Sequence, residues 1–344
     1  MSSINSQELS AALQGDSKTR VESLQKALRR LGLETKIHPI SIFPNLFLLW
    51  ILWTLLEFMA TYFLFHFQPI PSGILALLGY LGLRFTLQGQ FPLEPILPLR
   101  TGYNLQAVLK GERADNKKEM VLFAHHDPGR SFLSPFPSLA FKLFYSSHWV
   151  VLLCAILTYA LPSWIWPYAA LASSIYLLLI MILVGIRDFK RSSFVSQRSS
   201  ISVVLDLAEY FSANKPQGID LHLWFTDGGE SGGRGIREVF KFYDLKSHES
   251  DLIWIQIEDF AKEPTLIAEQ GIPRPVPSFD LSMIQEILKE PNLRQIRSEK
   301  YRSVPLESYV LASRSIPTLV LSGFNDTALA ATFLRKLTEV WDQN

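Results

Sequence analysis

The 344-residue chain has a single cysteine, Cys154, set inside an apolar run. One thiol makes no disulfide framework, so cysteine usage gives no argument for an oxidising compartment. An excess of one charge is also missing. Lys and Arg number 33 against 32 Asp and Glu, the net charge is +1, and no basic tract suggests nucleic acid as a partner. Residues 1–40 are polar and charged, unlike a cleavable signal peptide. Internal repeats and low-complexity tracts are absent. The glycine-rich stretch 228–235 lacks the Gly-Lys-Ser/Thr ending of a phosphate loop, and Glu230 within it would repel phosphate.

What the chain has in excess is apolar residues. They make up 48%, with a mean hydropathy of +0.15. The excess is concentrated in Ser41 to Phe67, Ile70 to Leu87, Phe144 to Trp166 and Tyr168 to Ile186. Ser41 to Phe65 carries one ionisable residue, Glu57, and is long enough to cross a hydrocarbon core of roughly 30 Å. Gln68 to Ser72 would make the turn, and Gly73 to Leu87 a short return arm. A second hairpin follows, with arms Phe144 to Leu161 and Tyr168 to Ile186 and a turn, Pro162 to Pro167, whose two tryptophans suit a membrane interface. The expectation is an integral membrane protein with four transmembrane helices. The spans carry almost no polar residues to line a path, which argues against a transporter or channel.

The positive-inside bias gives an orientation. Lys18, Arg20, Lys26, Arg29, Arg30 and Lys36 precede the first span, and Arg84, Arg100 and Lys110 follow the second. Lys142 precedes the third, Arg187, Lys190 and Arg191 follow the fourth, and both hairpin turns lack Lys and Arg. Both termini and the folded domain are then expected in the cytoplasm. A carboxylate inside a span costs a few kcal/mol unless paired or protonated. Glu57 is therefore expected to face the bundle, with Tyr80 at its depth and Arg84 a turn away, or to meet a partner subunit.

Outside the hairpins, strands alternate with helices. An amphipathic helix over 17–31 is capped by Asp16 or Ser17, shares Val21, Leu24, Leu28 and Leu31 on one face, and ends at Gly32. Strands are expected at Glu34 to Ile40, Gly102 to Lys110, Met120 to Ala124, Asp220 to Phe225, Leu252 to Ile257 and Thr318 to Leu321. Met120 to Ala124 is expected to partner Gly102 to Lys110 across a charged turn. Helices are expected at Ser199 to Phe211, Ile236 to Tyr243, Ser282 to Leu288 and Ala328 to Trp341. This alternation implies a mostly parallel mixed sheet covered by helices on both faces, a three-layer α/β sandwich. The segments divide as 1–40, the first helix and strand; 41–87, hairpin one; 88–142, the α/β domain's first part; 143–186, hairpin two; and 187–344, its second part.

Met120 to Asp127 draws the eye because an apolar strand ends abruptly in His125, His126 and Asp127. A His-x-Asp at a strand's carboxyl end places one imidazole at a site while the carboxylate orients it. The bland alternative is a buried strand followed by a polar turn. Ser196 to Ser200, Gly229-Glu230 and Glu258-Asp259 fall at comparable strand ends or turns. His126 and His222 read as satisfied or surface imidazoles, and Asp227 as a turn residue in an Asp-Gly pair.

At these residues the soluble segments resemble the co-catalytic zinc aminopeptidase family, which also includes glutaminyl cyclases. The resemblance is carried by Asn104 to Gly111, Val121 to Asp127, Trp224 to Gly235 and Ser315 to Thr318; both hairpins look like insertions into loops. It implies a two-zinc site in which His125 is a ligand and Asp127 its orienting acid. It also implies Glu230 as a ligand and Glu258, or Asp259 with a register slip, as another. It equally exposes departures. Ser196 stands where the family has a bridging aspartate, and Gly229 stands where the general base belongs. The final histidine ligand should follow the Ile316-Pro317 strand, yet His248 is the last histidine in the chain. The expectation is a vestigial site of His125, Glu230 and Glu258 with no catalytic residue. The chain would then be a protein-binding or scaffold subunit of a membrane complex, contacting lipid and a protein partner. Zinc stays possible, and the alternative is an active mononuclear zinc peptidase cleaving peptides or peptide-like amides.

Overall fold

A computed structural model describes residues 15–42, 46–87, 99–112, 118–127, 138–190, 194–216, 218–228, 233–243, 252–258, 263–270, 276–277, 279–299, 307–312, 316–324 and 326–343. Helix α1 spans Ser17–Arg30; the Asp16 side chain caps it by accepting from Thr19 N, and Val21, Leu24 and Leu28 form its buried face. Strand β1, Glu34–Ile42, follows. Helices α2, Leu46–Phe65, and α3, Pro69–Leu87, then form a hairpin. Its turn is tighter and earlier than expected. Phe67 takes a positive φ, and Pro69 and Pro71 begin the return helix, where a missing amide costs nothing.

Strands β2, Arg100–Leu109, and β3, Lys118–His125, lead to a second hairpin of α4, Ser138–Ala160, and α5, Ile165–Lys190. Then come α6, Phe194–Ala213; β4, Ile219–Thr226; α7, Arg234–Phe240; and β5, Leu252–Glu258. The short strands β6, Thr265–Ile267; β7, Glu269–Gln270; and β8, Val276–Pro277, precede α8, Leu281–Ile287. The chain ends with β9, Arg297–Glu299; α9, Glu307–Ala312; β10, Thr318–Ser322; and α10, Thr327–Gln343. Strands β6 to β9 and helix α9 were not expected from the sequence. They are too short to carry a visible hydrophobic period.

The main sheet has eight strands in the order β1-β2-β4-β3-β5-β10-β6-β9. Its centre, β4-β3-β5-β10, is parallel, whereas β1-β2, β2-β4 and β10-β6 are antiparallel. Strand β3 does not pair with β2, as the sequence suggested; β4 lies between them. The reason is burial. Met120 to Ala124 is inaccessible on both faces, which requires a central strand with neighbours on each side. Alternate residues serve two cores. Met120, Leu122 and Ala124 pack with α1, α6, α8 and α10, while Val121 and Phe123 pack with Trp224, Trp254, α7 and α9. The result is a three-layer α/β sandwich.

The segment Ser196 to Ser200 lies inside α6 and not at a strand end or turn. No proline or glycine interrupts 194–213, so the helix starts before the serines. Helices α2 to α5 pack in a ring, each against its chain neighbours and α5 against α2. Among the described residues no helix is long and apolar enough to cross a membrane. The expected four spans therefore draw no support from them.

One glycine is fixed by close approach. A Cβ at Gly235, in the first turn of α7, would lie 2.1 Å from the Asp227 carbonyl oxygen. Gly235→Ala is expected to destabilise the α/β domain by about 3 kcal/mol, the scale of overpacking against a backbone that cannot yield. A thermal unfolding midpoint equal to that of the parent would contradict this.

Candidate metal centre

The polar end of the sheet follows from register. Phe123 of β3 stands opposite Gln256 of β5, so His125 and Glu258, two residues on, emerge side by side from adjacent parallel strands. His125 Nδ1 is 3.2 Å from Asp127 Oδ1, and Nε2 is 3.4 Å from Glu258 Oε1. Gln256 Nε2 donates to that same Glu258 oxygen at 2.5 Å. Asp127 is almost wholly buried, and the other two side chains are nearly so. Burial by itself pushes the His125 pKa down, but the Glu258 charge and the Asp127 hydrogen bond outweigh it and hold the group well above its usual 6.5. A carboxylate thus faces each nitrogen of the ring.

Beside it lies a network that sequence reading missed. Asp227, expected as a turn residue, is fully buried. Its carboxylate accepts from the Ser17 hydroxyl, from Tyr103 N at 3.2 Å and from Gly228 N at 2.8 Å. Its own amide donates to Asn104 Oδ1 at 2.9 Å, and Asn104 Nδ2 donates to Gly235 O at 2.9 Å. His126 is the satisfied imidazole expected. Its Nε2 donates to Tyr103 O at 2.8 Å, and its Nδ1 accepts from Arg20 Nε at 3.4 Å. Burial is the main cause of its lowered pKa. The signal for Asp227 was its register: it directly follows Thr226, the partner of His125 on β4.

The segment after β10, where the resemblance requires a histidine, is occupied otherwise. Gly323 N donates to Glu258 O at 3.3 Å, and Phe324 is buried against Phe333. Ser196 is on α6, and Gly229, Glu230 and Asp259 lie outside the described residues. Among the described residues no group of three His, Cys, Asp or Glu side chains can hold a metal ion. His125 and Glu258 are two donors, short of the three protein ligands a catalytic zinc takes. Each His125 nitrogen already faces a carboxylate. The described donor set does not fit a catalytic zinc.

No protein-family model matches the chain, and no curated protein does. Solved structures do match. The mixed sheet with its flanking helices is similar in fold to glutaminyl cyclases. Glutaminyl cyclase from an Acidobacteriales bacterium matches with a TM-score of 0.50 at 9% identity, over 99% of this chain and 96% of that one. The Fimbriiglobus ruber glutaminyl cyclase matches at 0.50 and 10% identity, over 99% and 95%. BSAP, a zinc aminopeptidase from Bacillus subtilis, stands at 0.49 and 7% identity, over 97% and 94%. At such identities the likeness is one of fold.

Two outcomes test the site. Asp227→Ala strands buried donors on three segments and is expected to cost on the order of 3 kcal/mol of stability, seen as a lower denaturant midpoint. His125 has a folded pKa above its unfolded value. Its contribution is therefore complete below pH 6.5 and is lost as pH rises through the folded pKa. In chelator, the stability gap between parent and His125→Gln should shrink as pH climbs above 6.5. A gap that widens would show the sign to be wrong.

Proposed function

We propose that the chain is a membrane-anchored protein whose aminopeptidase-like domain does not hydrolyse peptides and serves as a binding or scaffold subunit. The observation that carries this is the closed triad Asp127–His125–Glu258, in which both imidazole nitrogens face carboxylates within 3.4 Å. Peptide hydrolysis by the family's route needs an activated water, a base and charge to stabilise the tetrahedral intermediate. Gly229 offers no base, Ser196 offers no bridging carboxylate, and no histidine follows the last strand.

The anchoring part of the proposal is supported by an inverted polarity in the helical ring. Leu55, Tyr62, Ile70, Ile156, Tyr159 and Ile165 are more than half exposed, while Glu57, Thr61, Ser72, Ser147, His148 and Ser174 are inside. In water that arrangement is unfavourable, because a contiguous apolar exterior signals contact with lipid or another protein. The bilayer is the occupant favoured by apolar side chains on all four helices. With Lys and Arg kept out of both hairpin turns, the domain and both termini lie in the cytoplasm. A protein partner in a membrane complex would use the domain's old cleft or its faces, and nucleic acid is not among its ligands.

A second reading keeps the site alive. His125 and Glu258 share one cleft and Asp127 orients the ring, so Glu230 could complete a mononuclear zinc site acting on peptides or peptide-like amides. Purified protein titrated with zinc and assayed on aminoacyl substrates should show no turnover above that of His125→Ala. A zinc-dependent rate lost in that variant would establish the second reading. For orientation, a reporter fused after Asn344 should be active only on the cytoplasmic side; activity only outside would reverse the assignment.

A further inference from the structure

The interior of the helical ring holds a polar cluster separate from the site at the sheet. Glu57 on α2 is fully buried, and its carboxylate has partners on both helices of the second hairpin. Ser147 Oγ, on α4, donates to Oε2 at 3.1 Å, and His148 Nδ1 lies 3.1 Å from the same oxygen. Ser174 Oγ, on α5, donates to Oε1 at 3.4 Å. Thr61, one turn further along α2, meets Ser174 Oγ at 2.9 Å. All five side chains are buried. The fourth helix supplies a notch for the ring: a Cβ on Gly79 of α3 would lie 3.0 Å from His148 Cδ2 and 3.2 Å from Nε2. The partners are not Tyr80 and Arg84; Arg84 is exposed, and Tyr80 packs on Trp149 with ring centroids 4.7 Å apart.

We infer that this cluster is a clasp that joins the two hairpins in one register, with His148 as the partner that permits Glu57 to be buried. Around it the interface is Ala60, Leu64, Ala76, Val151, Cys154 and Ala155. Apolar contacts of this kind are non-directional and tolerate sliding. A carboxylate away from water tolerates only positions where it is paired and hydrogen-bonded. The consequence is that Glu57 is used up within the chain, so any partner subunit must dock on the outer faces of the ring. The clasp does not depend on whether lipid surrounds the bundle, although lipid would strengthen its selectivity.

The test uses the full chain with Cys154→Ala, which removes its only native thiol. Gly73→Cys and Ala155→Cys are then added, because a Cβ at Gly73 stands 3.8 Å from Ala155 Cβ, the separation a disulfide takes. Mild oxidation should protect both thiols from alkylation. Adding His148→Leu leaves the carboxylate with its serine donors alone and should lower the cross-linked fraction at least about tenfold, whereas His148→Leu with Glu57→Leu should restore it to within about twofold. This pattern is expected because removing one member of a buried pair damages more than replacing both by apolar groups. Cross-linking that survives His148→Leu, fails in the parent or is not rescued in the double variant would overturn the clasp. Sedimentation of the same parent protein with membranes is read separately. Its failure would defeat the anchoring proposal and leave the clasp standing.

Discussion

The polar end of the sheet depends on one buried carboxylate, that of Asp227. Buried charge is tolerated only where hydrogen bonds replace the water it has lost. Here the donors come from α1, β2 and the start of the turn after β4. Ser17 ties the first helix to the site, Tyr103 ties the antiparallel edge, and Asn104 closes the circle by holding both the Asp227 amide and Gly235. Segments more than 200 residues apart in sequence are thereby fixed to one point.

Beside that anchor, the His125 ring stands between two carboxylates. Where the resemblance implies a dication among imidazole and carboxylate ligands, the described residues have the His125 ring between Asp127 and Glu258. A single positive charge with two hydrogen-bonded carboxylates is a stable arrangement, since charge-assisted bonds are the stronger kind. The helical ring solves a related problem by the same means, pairing Glu57 with His148 and surrounding serines. In both places a carboxylate lies beside an imidazole from an element distant in the chain.

Much of the architecture was legible in the sequence. The 3.6-residue period of Val21, Leu24 and Leu28 marked α1, and the apolar runs ending at His125 and Glu258 marked two central strands. That His248 is the last histidine of the chain needed no structure. The errors have common causes. Ser196 to Ser200, expected at a strand end or turn, lies in a local sequence with nothing to break a helix. Pairing β2 with β3 followed chain order, whereas burial of β3 on both faces demanded β4 beside it. His148 was passed over although it is the only His, Lys, Arg, Asp or Glu between residues 144 and 161, just as Glu57 is within its own span.

The sequence by itself determined the longer strands and helices and which of their faces are apolar, because those properties are written in local periodicity and residue identity. Only the tertiary structure decided that His125 stands beside Glu258, that Asp227 gathers Ser17 and Tyr103, and that Glu57 meets His148. Each of those pairings joins residues far apart in the chain. Their proximity is set by strand order and helix packing, which minimise buried unpaired charge over the whole molecule and leave no trace in any single stretch of it.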